Sequence, residues 1–387
     1  MRKKFFQLII LLLIITLINN PARALDSARN GLNLWFNILL PSLLPFFILS
    51  ELFIASGLVQ YFGRMLEPII KPIFHLPGEA TFPVIMSFLS GYPLGAKLTS
   101  RLRSLDMISK PEGDRLITLA STSGPLFILG AVLTGMLSMP DLSGLMIIPH
   151  YMGALTVGLI FSRLPRLSGQ KQVKQFKPSK KIEKVNNSTS LPDLISRSVK
   201  DSVNSILLIG GFVIIYNVII DMVLASQITR ILIQKVSQVF MLNPSLLEGI
   251  LAGLIELTTG CNRISLADVN LLYKILGINF IIGWGGLSIL SQAISFISQT
   301  DISVKLYLIS KLLHGFLATL YTYLLYLFFY RDYLNVIAVG NPIDLGIFDL
   351  KTWLGAFYSL GSISLTLIAF YVFMALLVIN IKKLKKS

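Results

Sequence analysis

Residues 250–257 are apolar except for Glu256, and the run breaks at once into Thr258-Thr259-Gly260-Cys261-Asn262-Arg263. A helix that enters a bilayer and breaks there leaves backbone amides and carbonyls without intrahelical partners. Lipid cannot satisfy those groups, so the break has to sit inside protein or beside a water-filled cavity. An acid, two hydroxyls, an amide and a guanidinium crowd this one. The earlier stretch Ser87-Phe88-Leu89-Ser90-Gly91-Tyr92-Pro93-Leu94-Gly95-Ala96-Lys97 has the same plan: an apolar run, a small residue, a break, then a cation. Two interrupted segments at matching places in two halves point to a transporter binding site.

Composition fits that reading. Of 387 residues, 54% are hydrophobic and only 14% charged, well below the share of about 25% usual in soluble domains, so an integral membrane protein is expected. The formal net charge is +15, but the cations sit in short loops and at the ends, as the positive-inside bias predicts. No segment could build the folded basic face that nucleic acid needs. Cys261 is the sole cysteine, and His75, His150 and His314 are far apart. No disulfide, metal centre or cofactor is therefore expected, and without a nucleophile–base pair no enzyme either.

In chain order, Arg2, Lys3 and Lys4 precede an apolar run over residues 5–18, and Ala22-Arg23-Ala24 fits a small-x-small cleavage site. The lack of a soluble exported domain after it favours an uncleaved anchor. Residues 32–59 form the first long membrane segment, kinked by Pro41 and Pro45. Glu51, near its end, is either interfacial or turned into the bundle. Residues 62–75 read as an interfacial helix, and 79–102 as a hairpin broken at Gly91-Tyr92-Pro93. A span over 116–137 is interrupted at Ser121-Thr122-Ser123-Gly124-Pro125, and 142–161 is another, with His150 a hydrogen-bonded packing residue. Residues 163–184 hold eight Lys or Arg and one acid, Glu183, and form a solvated cytoplasmic linker. Spans over 203–225, 276–297 (broken at Trp284-Gly285-Gly286), 306–330 and 353–379 follow.

The halves align. Residues 51–56 match 221–226, Gly91-Tyr92-Pro93 falls opposite Gly260-Cys261-Asn262, and Ser123-Gly124-Pro125 opposite Gly285-Gly286-Leu287. The expected fold is an all-α polytopic membrane protein of two inverted-topology repeats, each with a broken re-entrant hairpin. Counting spans from a cytoplasmic N-terminus sends 203–225 outward, opposite to 32–59. The first hairpin then dips in from the cytoplasm and the second from the other face.

Pro41-Ser42-Leu43-Leu44-Pro45-Phe46-Phe47, residues 90–97, Ser123-Gly124-Pro125 and Thr259-Gly260-Cys261-Asn262 together resemble the YlbJ (SpoVV) family of sporulation integral membrane proteins. That family lies within the nucleoside-recognition, or Gate-domain, group, whose plan is similar to concentrative nucleoside transporters. The resemblance covers residues 30–330. It implies carriage of dipicolinic acid from the mother cell across the outer forespore membrane, with the cytoplasmic membrane the other location. A non-transporting sporulation scaffold and a carrier of nucleoside-like solutes are the alternatives. The division that follows is a signal-like anchor over 1–24, Gate-like repeats over 25–162 and 191–330 joined by the linker 163–190, and a terminal helix with basic tail over 331–387.

Helix N-termini and exposed amides at a break attract carboxylates. For a dipicolinate dianion, Lys97 supplies a point charge and Arg263 a bidentate fork. Ser90, Thr258, Thr259 and Asn262 supply directional hydrogen bonds, and Tyr92 a stacking face. Gly91, Pro93, Ser123, Gly124 and Gly260 supply the broken backbone. Glu256 is either a proton-coupling acid or an ion-pair partner of Arg263. The expected partners are the anion, membrane lipid and a coupling proton or sodium ion. A homo-oligomer is compatible with such a carrier.

Overall fold

A chain rich in Leu, Ile, Phe and Val satisfies its own backbone in lipid by forming helices, and among the described residues there is no strand. The computed structural model describes residues 2–163 and 191–331. Helix α1 (Arg2–Asn19) stops at Asn20, and α2 (Pro21–Leu34) passes through a π-helical turn, Trp35–Leu39, into α3 (Leu40–Ala55). The π-turn lies just before Pro41, whose ring has no N–H to donate back along the helix; the run continues through Pro41 and Pro45. Gly57 and His75, both left-handed, bound the amphipathic α4 (Leu58–Phe74). Helices α5 (Thr81–Ser90) and α6 (Leu94–Ser104) flank the turn at Gly91-Tyr92-Pro93. Helix α7 (Lys110–Leu119) opens with a capping box between Ser109 and Glu112. It ends before residues 121–124, and π-helical Leu126–Met136 and α8 (Ser143–Arg163) follow.

The second part begins with α9 (Leu191–Ala225) and α10 (Gln227–Phe240). Helices α11 (Pro244–Ile255) and α12 (Leu257–Leu266) flank Glu256, and Asn243 caps α11 by accepting from Ser245 N. Helices α13 (Leu271–Trp284) and α14 (Gly286–Ile297) meet at Gly285, whose φ of +90° suits glycine. Helix α15 (Val304–Leu325) runs on into π-helical Tyr326–Tyr330.

Among the described residues, four helices are long and apolar enough to cross a membrane: Pro140–Arg163, Pro192–Ala225, Leu271–Ile297 and Val304–Tyr330. The run expected to span at 32–59 keeps only a shorter apolar helix, Leu43–Ala55, by the same measure. The expected span at 353–379, most of the linker and the 332–351 loop lie outside the described residues. Helix α10 buries none of its residues and exposes Ile228, Leu232, Val239 and Phe240, the apolar face of a helix lying in an interface.

Two pairings organise the bundle. Ser27 meets Asp221 and Trp35 meets Ile206, so the α2–α3 run and α9 are antiparallel. Asn279 donates to both the Leu145 carbonyl and Thr322, while Gly153 lies against His314, so α8 and α15 are antiparallel too. Apolar packing surrounds these pairs. One zone holds Phe47, Leu98 and Ile209, and another holds Ile128, Ile264 and Ile278. Between them lies a polar seam.

Candidate functional site

Helices α5 and α6 fold back on one another, since Gly95 faces Ser87, and their turn docks on the broken stretch after α7. Thr122 N donates to Ser87 Oγ at 3.0 Å, and Thr122 Oγ1 to the Ser87 carbonyl at 2.9 Å. Tyr151 Oη lies 3.0 Å from the Phe88 carbonyl and 3.1 Å from that of Ser123. Ser123 N donates to His150 Nε2 at 2.9 Å. Side chains thus take up backbone groups that the break frees, as burial away from water demands.

Helices α11 and α12 also form an antiparallel hairpin, with Gly253 against Gly260 and Gly249 against Ile264. Its turn is held by Glu256, 3% exposed, which accepts from Thr258 N at 3.0 Å and Thr259 N at 2.7 Å. A carboxylate at a helix N-terminus satisfies orphan amides and complements the helix dipole. This turn docks on the other broken helix: the Gly286 backbone lies against Gly253, Ile255 and Leu257, and Trp284 Nε1 donates to the Leu254 carbonyl at 3.2 Å.

Lys311, on α15 and 1% exposed, lies between these parts. Its Nζ is 2.6 Å from Tyr92 Oη, 2.9 Å from the Ser121 carbonyl and 3.3 Å from His314 Nδ1. It also sits 4.4 Å from the centre of the Tyr92 ring. Tyr92 Oη donates onward to the Ile282 carbonyl at 2.9 Å. His314 Nε2, 2.8 Å from the His150 carbonyl, must donate to it, which leaves Nδ1 to accept from Lys311. All three polar neighbours of Nζ are therefore neutral groups. Among the described residues no carboxylate pairs with Lys311. His150 Nε2 accepts from Ser123, so its proton sits on Nδ1, which meets no partner among the described residues. Ser90 Oγ, beside the first turn, likewise has none.

The residues singled out from sequence are thus divided. Gly91, Tyr92, Pro93, Ser123 and Gly124 gather around Lys311 and the first break, with Ser90 adjoining. Glu256, Thr258, Thr259 and Gly260 build the second turn. Asn262 is exposed on α12. Arg263 does not pair with Glu256; it lies seven residues further along α12 and binds Glu248, with Asp221 at 3.8 Å. Lys97 turns away from the first break to Glu51, at 3.1 Å, and lies 4.4 Å from the Phe47 ring centre. Glu51 faces inward, 6% exposed. The sequence reading passed over Lys311. The available signal was a lysine inside an otherwise apolar span, with His314 three residues on and so on the same helix face.

A cavity of about 390 Å³ opens between α3, α6, α9 and α14, lined among others by Glu51, Lys97, Arg101, Asp201, Asn204 and Gln299. Among the described residues no His, Cys, Asp and Glu side chains cluster as metal ligands.

Residues 36–157 match the family model described as nucleoside recognition, Gate. Over 364 residues the chain is 34% identical to the sporulation integral membrane protein YlbJ of Bacillus subtilis, covering 89% of this chain and 88% of that one. The chain belongs to the YlbJ family. This family relationship and the four long apolar helices make it a multi-pass integral membrane protein. An uncharacterised protein of Alkalihalophilus pseudofirmus is 27% identical over 158 residues, 38% of this chain and 32% of that protein. No solved structure matches. The Gate match contains the first hairpin, the first break and His150. Both the second hairpin and Lys311 lie beyond it.

Proposed function

We propose that this YlbJ-family protein is a carrier, not an enzyme, for a small organic anion, and that the anion is dipicolinate moved out of the mother cell during sporulation. The observation that carries the proposal is Lys311: a buried lysine with only neutral acceptors, set where a hairpin turn meets a broken helix. A charge inside a membrane protein is costly and marks a ligand or ion path. With His150 Nδ1 and Ser90 Oγ nearby and unpartnered, the seam has donors in surplus. Surplus donors suit a carboxylate better than a neutral nucleoside, the class that the Gate description names.

In this reading the halves are inverted copies and the hairpins re-entrant. In support, each half runs in one order: surface helix, hairpin, broken helix, long helix. In each half the hairpin turn rests on the broken helix that follows it. The counterpart pairs, α2–α3 with α9 and α8 with α15, are antiparallel, as repeats entering from opposite faces require.

The test is uptake of dipicolinate into liposomes holding the purified protein, beside a nucleoside and a plain dicarboxylate, under proton or sodium gradients. Saturable uptake of dipicolinate, abolished by Lys311→Met in protein that still elutes as a single folded species, is expected. Methionine keeps the length of the chain but leaves the Ser121 carbonyl and His314 Nδ1 without their donor, so some stability is lost and the elution profile is read before the uptake. If folded protein takes up none of the three, the carrier reading fails and a sporulation scaffold takes its place.

A further inference from the structure

We infer that the cavity between α3, α6, α9 and α14 is the docking site for the anion on the basic face, where a substrate carboxylate replaces Glu51 against Lys97 and Arg101. The inference rests on the carrier reading and deepens it by naming a second anion site and the internal group that competes for it. At about 390 Å³, the space is within the range of small-molecule sites, roughly 300–1,000 Å³.

Its charges argue for exchange. Lys97 and Glu51 are the buried members, with side chains 8% and 7% exposed. Glu51 Oε1 lies 3.1 Å from Lys97 Nζ, while its other oxygen is 3.7 Å from Arg101 Nε. Neither contact has the parallel, two-bond fork that makes an arginine–carboxylate pair tight. Lys97 Nζ, though it touches Glu51, makes no well-directed hydrogen bond. Two cations thus hold one carboxylate loosely, beside a cavity where a second carboxylate would find both of them. Asp201, exposed at the mouth, brings the lining to two positive and two negative side chains. An arriving anion has to outcompete Glu51.

Position supplies the rest. Lys97 stands four residues beyond Pro93, so the cavity flanks the first hairpin on its way to Tyr92 and Lys311. The mouth lies at the open end of that hairpin, by Arg101 and Ser104. The same end carries Arg103, and α9 starts directly after the linker with its eight Lys or Arg. Such a face concentrates anions before they bind, and by the positive-inside bias it is cytoplasmic.

Cys261 is the only cysteine and is buried, so Ser104→Cys places one reactive thiol at the mouth. In the full-length protein, dipicolinate is expected to slow labelling of that thiol by a charged thiol reagent. Adding Glu51→Gln should lower the half-protecting concentration about tenfold, and Lys97→Gln should raise it about tenfold. No protection at millimolar dipicolinate would overturn the inference. So would an unchanged or raised half-protecting concentration in folded Glu51→Gln protein. Should Glu51→Gln not fold, Asp201→Asn decides in its place, with the same sign and a smaller shift. Uptake without protection would overturn this site and leave the carrier standing. Protection without uptake would keep the site and remove the carrier.

Discussion

The first hairpin hands its turn to a neighbour, whereas the second closes on itself. A Cβ on Gly91 would lie 2.3 Å from Gly124 N and one on Gly95 2.1 Å from the Ala120 carbonyl, both outside the hairpin. A Cβ on Gly260 would instead lie 2.0 Å from Gly253 Cα, inside its own hairpin. The polar groups divide in the same way. Tyr92 reaches across to Lys311 and Ile282, while Glu256 spends both its oxygens on the next turn of its own backbone. The turn of the first hairpin is thereby wired into the seam, while the turn of the second is capped from within and its helices meet their neighbours through Trp284, Lys274 and Arg263.

The strongest way to break this comparison is Gly260→Ala. Backbone sits where the methyl would go, so the second hairpin should fail to close at a cost of several kcal/mol, with monodisperse protein lost on size-exclusion. Recovery at wild-type yield and melting temperature would show that the hairpin is not self-closing. Next in size is Tyr92→Phe, which leaves one Lys311 donor and the Ile282 carbonyl without this hydroxyl. A loss of about 1–3 kcal/mol is expected in thermal unfolding, with dipicolinate uptake reduced more than abundance. Glu256→Gln, which keeps the shape but weakens the cap, should cost about 1 kcal/mol and leave uptake near wild type. If uptake collapsed while stability held, Glu256 would belong to the transport path and the contrast between the turns would dissolve.

The smallest effect concerns a second anchor of the first hairpin. At its open end Arg103 donates to both oxygens of Asp301, at 2.8 and 3.1 Å, in the loop before α15. That hydrogen-bonded guanidinium holds the Asp301 carboxyl below its usual range. The bridge therefore contributes above the ordinary carboxylate pKa and is lost as pH falls through the lowered one. Because the pair is partly exposed, solvent and salt screen it. Asp301→Asn should lower the melting temperature slightly at neutral pH, where the bridge is intact, leave it unchanged at low pH, and so flatten the shallow acid-side drop.

Much of the plan was legible because lipid makes breaks conspicuous. Gly91-Tyr92-Pro93, residues 121–125 and Gly285-Gly286 all interrupt apolar runs, and each is where a helix stops. What sequence spacing could not supply was direction. Arg263 and Lys97 follow the breaks closely in the chain, yet a helix advances about 1.5 Å per residue and turns about 100°. By seven and four residues they face other partners, Glu248 and Glu51. Lys311 was hidden for the converse reason: its span has no break, and its neighbours Tyr92 and Ser121 come from far along the chain. His150, read as a hydrogen-bonded packing residue, does accept from Ser123, while its other ring nitrogen has no partner among the described residues.

Of the three tryptophans, Trp284 stands at the second broken helix with its indole N–H on the Leu254 carbonyl, two residues before Glu256. Indole emission responds to exactly such a bond and to the polarity around the ring, so the self-closing hairpin comes with a native optical gauge. Because Trp35 donates to Ile206 beside the cavity, the gauge is read in protein that keeps Trp284 alone; there a ligand that rocks the hairpin will shift the emission, and one that only docks at the basic mouth will not.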